Sequence, residues 1–156
     1  MCDYSLMALP NRLAVCGEEL VVHRFESSAV GLASVSDVCI AEEARRVKPK
    51  GFWQTLKWLL NPPPPHSCTA VCIPPGAELQ LRDIPKRLQQ ELQLHGDQQE
   101  VVFTQTSTHA NFRDAVRFTN GVEILLQQLQ EGQRVSVLSL GSAEEDIAQL
   151  ERTMQL

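Results

Sequence analysis

The sequence predicts an α+β domain, a mostly antiparallel sheet or partly closed small barrel covered by three or four helices. Three observations predict it. Short apolar-alternating segments follow one another with turn residues between them and no alternating helix, which argues against a parallel doubly wound fold. Asn120-Gly121, flanked by two apolar runs, is the strongest hairpin signal in the chain. A few other segments repeat their apolar residues at helical spacing. With 156 residues, 43% of them hydrophobic, one chain can bury a real core without staples, so a single domain over 1–156 is expected.

The first third reads as a small β unit. Leu13–Val15, Gly17 and Glu19–Phe25 suggest a hairpin, and Val30–Ser34 a third strand. Ser36 or Asp37 caps a helix over 37–47, which ends before Pro49 because a residue preceding proline is pushed out of the α region. A second helix follows over 51–60. Its exit, Pro62–Pro65, offers no backbone donors to a sheet and predicts extended polyproline II. That run is the expected joint between two subregions, 1–61 and 66–156.

The second half is more legible. Ser67–Ile73 reads as a strand, Pro74–Gly76 as a turn and Glu78–Arg82 as another strand. Asp83 caps a short helix with Pro85 in its first turn, with Ile84, Leu88, Glu91 and Leu92 at helical spacing and Gly96 at its C-terminal end. Glu100–Gln105 is a strand. Around Asn120-Gly121 a type I′ turn predicts a hairpin pairing Thr119 with Val122 and Val116 with Leu125. Val122, Leu125, Leu126 and Leu129 also fit a helix over 122–130, the competing reading. Gly132 turns the chain into a strand at Arg134–Leu140. Ser142 and Glu145 form a capping box for a final helix presenting Ile147, Leu150 and Met154.

The charge is uneven. Residues 1–76 carry seven basic and seven acidic side chains, whereas 77–156 carry seven and twelve, giving a net charge of −5. An acidic balance argues against nucleic acid as a partner, because phosphate binding wants a net basic face. No basic leader precedes Arg12, and no run of apolar residues is long enough to span a bilayer. Five cysteines without CxxC spacing read as reduced thiols, and the expected location is the cytoplasm.

Cys2 is the one position that suggests a reaction. Removal of Met1 would make it the N-terminal residue, with a thiol nucleophile and an α-amino base in one residue. Amidohydrolases of the N-terminal-nucleophile kind work this way, but the glutamine-dependent ones follow the cysteine with glycine, where this chain has Asp3. A metal site at His66, Cys68 and Cys72 fails on spacing. In a strand, Cys68 and Cys72 lie about 13 Å apart, too far for thiolates that each sit about 2.3 Å from one zinc. His95 complements a helix C-terminus, His109 lies in a polar loop, and Arg113 and Arg117 share a strand face that can hold an anion. No metal and no cofactor is expected.

The remaining stretch points to contact. From Arg45 to Lys57 there are five basic residues (Arg45, Arg46, Lys48, Lys50 and Lys57) and no acidic one. At about 100° per residue, Phe52, Trp53, Leu56, Leu59 and Leu60 share one arc of about 120°, which reads as a core-facing helix face. Trp58 falls on the opposite side with Gln54 and Asn61, where a large aromatic needs a second surface, which the Pro62–Pro65 strip folding back, a partner or a membrane can supply. The expected role is therefore binding or assembly through 45–61, to a protein partner or a second copy, with a membrane surface as a further alternative. The ligand, if small, is not specified.

Overall fold

A computed structural model describes residues 9–46, 51–60, 68–107 and 112–141. Nine strands form one mixed sheet in the order β1-β4-β3-β2-β9-β5-β6-β7-β8. They are β1 (Asn11–Leu13), β2 (Glu19–Arg24), β3 (Val30–Ser34), β4 (Ala70–Cys72), β5 (Glu78–Leu81), β6 (Gln99–Gln105), β7 (Asp114–Phe118), β8 (Glu123–Leu125) and β9 (Arg134–Ser139). Every pairing is antiparallel except β1 with β4, where Asn11, Arg12 and Leu13 run parallel to Ala70, Val71 and Cys72. The helices are α1 (Val35–Arg46), α2 (Phe52–Leu60) and α3 (Lys86–Glu91).

Alternation builds the core. Leu20 and Val22 of β2, Leu79 and Leu81 of β5, Val101 and Phe103 of β6, Val116 and Phe118 of β7, and Val135 and Val137 of β9 all point to one face and are almost fully buried. Strand β3 does not alternate because both of its faces are covered. Val30 and Leu32 enter this core, while Ala33 turns to the back of the sheet. There a second, smaller cluster gathers Phe25, Ala29, Ala33, Cys68 and Ala70 beneath Val38 and Ala41, which lie three residues apart on α1. The small side chains on this back face let the helix approach the sheet closely. The last strand in sequence, β9, lies between β2 and β5.

Among the described residues the expected cover of three or four helices is not observed, and the sheet does not close into a barrel. Only α1 is long among the described helices, and α3 is six residues. The segment 122–130 is not a helix but β8 followed by a 3-10 turn, Leu126–Gln128, which sends Ile124, Leu126 and Leu129 into the core. The final helix expected beyond Ser142, and the proline run 62–65, lie outside the described residues.

Local differences have local causes. The expected pairing of 13–15 with 19–25 does not form, because β1 takes its place beside β4 and two strands separate it from β2. The chain between them turns on Glu18, whose carboxylate accepts a hydrogen bond from the Val15 amide at 3.1 Å and pairs with the Arg12 guanidinium. Asp83 does not cap α3. It sits at φ 56°, and Pro85 takes the N-cap position. At the other end Gln93, not Gly96, is the first left-handed residue, and the Leu94 amide closes back on the Gln89 carbonyl at 2.8 Å. The β7–β8 hairpin forms, one residue out of the expected register, with Val116 opposite Ile124. Only Gly121 in its turn has positive φ, so a three-residue connection of residues 119–121 replaces the type I′ turn.

Candidate functional site

The nine-residue helix α2 forms where the sequence predicts it, after Gly51 in a conformation that favours glycine (φ 125°). Its apolar arc does not enter the core. Phe52, Trp53, Leu59 and Leu60 are each more than 70% exposed, and Leu56 is 37% exposed. The Phe52 and Trp53 rings meet edge to face, with centroids 5.9 Å apart. The face read as core-facing is therefore an open apolar surface. Single exposed hydrophobics are ordinary on a protein, but five on one helix face form a contiguous patch of the kind that marks an interaction site.

The basic residues around it are only partly described. Arg45 and Arg46 are in the last turn of α1, and Lys57 and Trp58 are in α2, all four with side chains outside the described set. Lys48 and Lys50 lie outside the described residues. The structure thus brings Trp53 onto the open face and leaves the cover of Trp58 undescribed.

The outer face of the sheet holds a polar cluster that the sequence did not signal, since its members come from three distant segments. The Glu19 carboxylate accepts a hydrogen bond from the Ser136 hydroxyl at 3.0 Å and pairs with Arg82 at 3.2 Å, and Arg82 donates to the Gln80 amide oxygen at 3.2 Å. Each charge is matched, which marks a satisfied polar network. Nearer β1, the hydrogen bond from Arg12 lowers the pKa of Glu18 below the usual carboxylate range. The same bond raises that of Arg12. Arg117 is exposed on β7, opposite Val102 and Glu123. The Arg113 Nε donates to the Thr106 carbonyl at 3.4 Å.

Catalytic and metal readings gain no geometry. Cys2, His66 and His109 lie outside the described residues. Cys68 is buried in the small back cluster, with its thiol 3.8 Å from the Asp37 carbonyl, a core position. Among the described residues Cys72 is disulfide-bonded, which corrects the expectation of five reduced thiols. Among the described residues no three His, Cys, Asp or Glu side chains gather at metal-binding distance. His95 lines an open cleft of about 450 Å³ with Lys86, Gln89, Gln90, Gln93 and Leu94. His23 stacks edge-on against Phe25 at 5.0 Å.

One buried polar group stands out from this matched background. Gln133, 3% exposed, has no hydrogen-bond partner for either side-chain polar atom among the described residues. No helix among the described residues is long and apolar enough to cross a membrane. No protein family, characterised protein or solved structure matches this chain.

Proposed function

We propose that this protein is a binding or assembly module whose contact surface is α2 together with the basic stretch 45–61 in which it lies. The observation that carries the reading is the open apolar arc of Phe52, Trp53, Leu56, Leu59 and Leu60. Leaving Phe52, Trp53, Leu59 and Leu60 in water forgoes roughly 1.5–3 kcal/mol of burial for each, a cost that makes sense when another surface covers them. Trp53 and Trp58 supply rigid aromatic area, and Arg45, Arg46, Lys48, Lys50 and Lys57 supply charge that selects the partner. A cytoplasmic setting belongs to this reading, although the Cys72 disulfide weighs against a fully reducing compartment. The hydrolase alternative rests on Cys2 alone and is not carried further.

Stability measurements on truncation variants test the proposal. Leu59→Ala and Trp53→Ala should leave the unfolding free energy within about 0.5 kcal/mol of the parent, as surface changes do. Phe103→Ala, in the core, should cost about 3–5 kcal/mol. Core-sized losses at Leu59 and Trp53 would place the α2 face inside the fold and end the contact reading.

A further inference from the structure

We infer that the surface α2 meets is an anionic phospholipid bilayer, an inference that rests on the contact role proposed above. Three features of the helix point there. Its open arc carries two aromatic and three leucine side chains and no charged one, the composition that settles at the boundary between headgroups and acyl chains. Lys57 occupies the helical position next beyond Trp53, about 40° outside the arc, so helical spacing sets one positive charge at the edge of the apolar face. The stretch from Arg45 to Lys57 concentrates five positive charges in a chain of net charge −5. That asymmetry complements an anionic surface and orients the acidic remainder away from it.

The competing occupants fit less well. A two-fold dimer through α2 places the same patch on both sides of the interface, so two basic stretches would meet without an acidic residue between Arg45 and Lys57 to neutralise them. A protein groove must supply enough area to hold the helix. A bilayer needs no such area from a rigid partner, because apolar insertion and charge attraction add over a fluid surface.

The test uses the full chain carrying Trp58→Phe, so that indole emission reports Trp53 alone, with vesicles of phosphatidylcholine and of phosphatidylcholine mixed with phosphatidylglycerol. The expected result is co-sedimentation with the anionic vesicles only, weakened by added salt and accompanied by a blue shift of Trp53 emission. Leu59→Glu should abolish it, and Arg46→Gln and Lys57→Gln should each weaken it about five-fold with far-ultraviolet dichroism unchanged. A folded protein that ignores anionic vesicles, binds both kinds equally, or binds them unaffected by Leu59→Glu overturns the inference. If it ignores vesicles but self-associates through Leu59, the bilayer is wrong and the contact role stands. If Leu59→Glu instead unfolds the chain and Leu59→Ala shows a core-sized stability loss, the contact role falls as well.

Discussion

The side-chain amide of Gln127 pairs with the backbone of Val30 as a neighbouring strand would. Its oxygen accepts from the Val30 amide at 3.3 Å, and its nitrogen donates to the Val30 carbonyl at 3.0 Å. Gln127 sits in the 3-10 turn after β8, while Val30 opens β3, so one amide spans the gap between two parts of a sheet whose backbone ladder does not close. Gln127→Ala should cost about 1–3 kcal/mol, because it leaves buried backbone groups of Val30 without this partner. Gln127→Glu keeps the acceptor and loses the donor, and should fall between the two. Urea unfolding with unchanged slope checks both.

Gly121 is predicted to resist substitution for a backbone reason alone. It holds φ 85°, yet a β-carbon built there meets nothing within 4 Å. Gly121→Ala should therefore cost about 1–2 kcal/mol, and Gly121→Val more, since β-branching makes positive φ a true outlier. Gly141 differs, because its β-carbon would lie 2.9 Å from the Gly76 carbonyl oxygen. Gly141→Ala adds a clash to the strain and should be the more damaging of the two alanine changes in thermal melts.

Removing a mismatch should help. Gln133→Leu replaces a buried amide lacking partners among the described residues with an apolar side chain of similar size. It should raise the unfolding free energy by about 1 kcal/mol or more, as burial without hydrogen bonding costs about that much. A loss of stability in chemical denaturation would show that the Gln133 amide is satisfied in solution.

Acid should weaken the turn between β1 and β2. The pKa of Glu18 is lower in the folded state, so its contribution is fully present above the ordinary carboxylate pKa and disappears as pH falls through the folded value. Glu18→Gln should be less stable than the parent near neutral pH, and the gap should vanish in acid. Because the Arg12 side chain is partly exposed and screened by solvent, the neutral-pH gap should not exceed about 1 kcal/mol. A gap that persists unchanged into acid would contradict this account.

The sequence made some features legible and hid others for identifiable reasons. Strands β2, β5 and β6 announce themselves because one face of each is more buried than the other, as Leu79 and Leu81 against Glu78 and Gln80 show. The β7–β8 hairpin was visible in Asn120-Gly121, but its register depended on which residues of the turn take positive φ, and that choice also reflects the Asn120 side chain donating to the Leu92 carbonyl at 2.9 Å. The parallel pairing of β1 with β4 has no local signature, since Asn11 and Ala70 are distant in sequence. At α2 the arc itself was readable and its surroundings were not. The same spacing of Phe52, Leu56 and Leu59 serves a core or a partner equally, and periodicity carries no information about which one covers it.

The position of β9 sets an order on how this chain can be assembled. Residues 134–139 emerge from synthesis after every other described strand, yet they form the ladder that joins β2 to β5. Until then the β2–β3–β4 ribbon and the β5–β8 meander each carry a naked long edge, rich in Val and Leu and open to wrong pairing. Closing them together requires contacts between residues more than a hundred positions apart, such as Leu20 with Val135, which slows the committed step. Folding should therefore wait on this one strand. Released chains that stop short of residue 134 should be sensitive to protease and prone to aggregate, and released chains that extend past residue 139 should be neither.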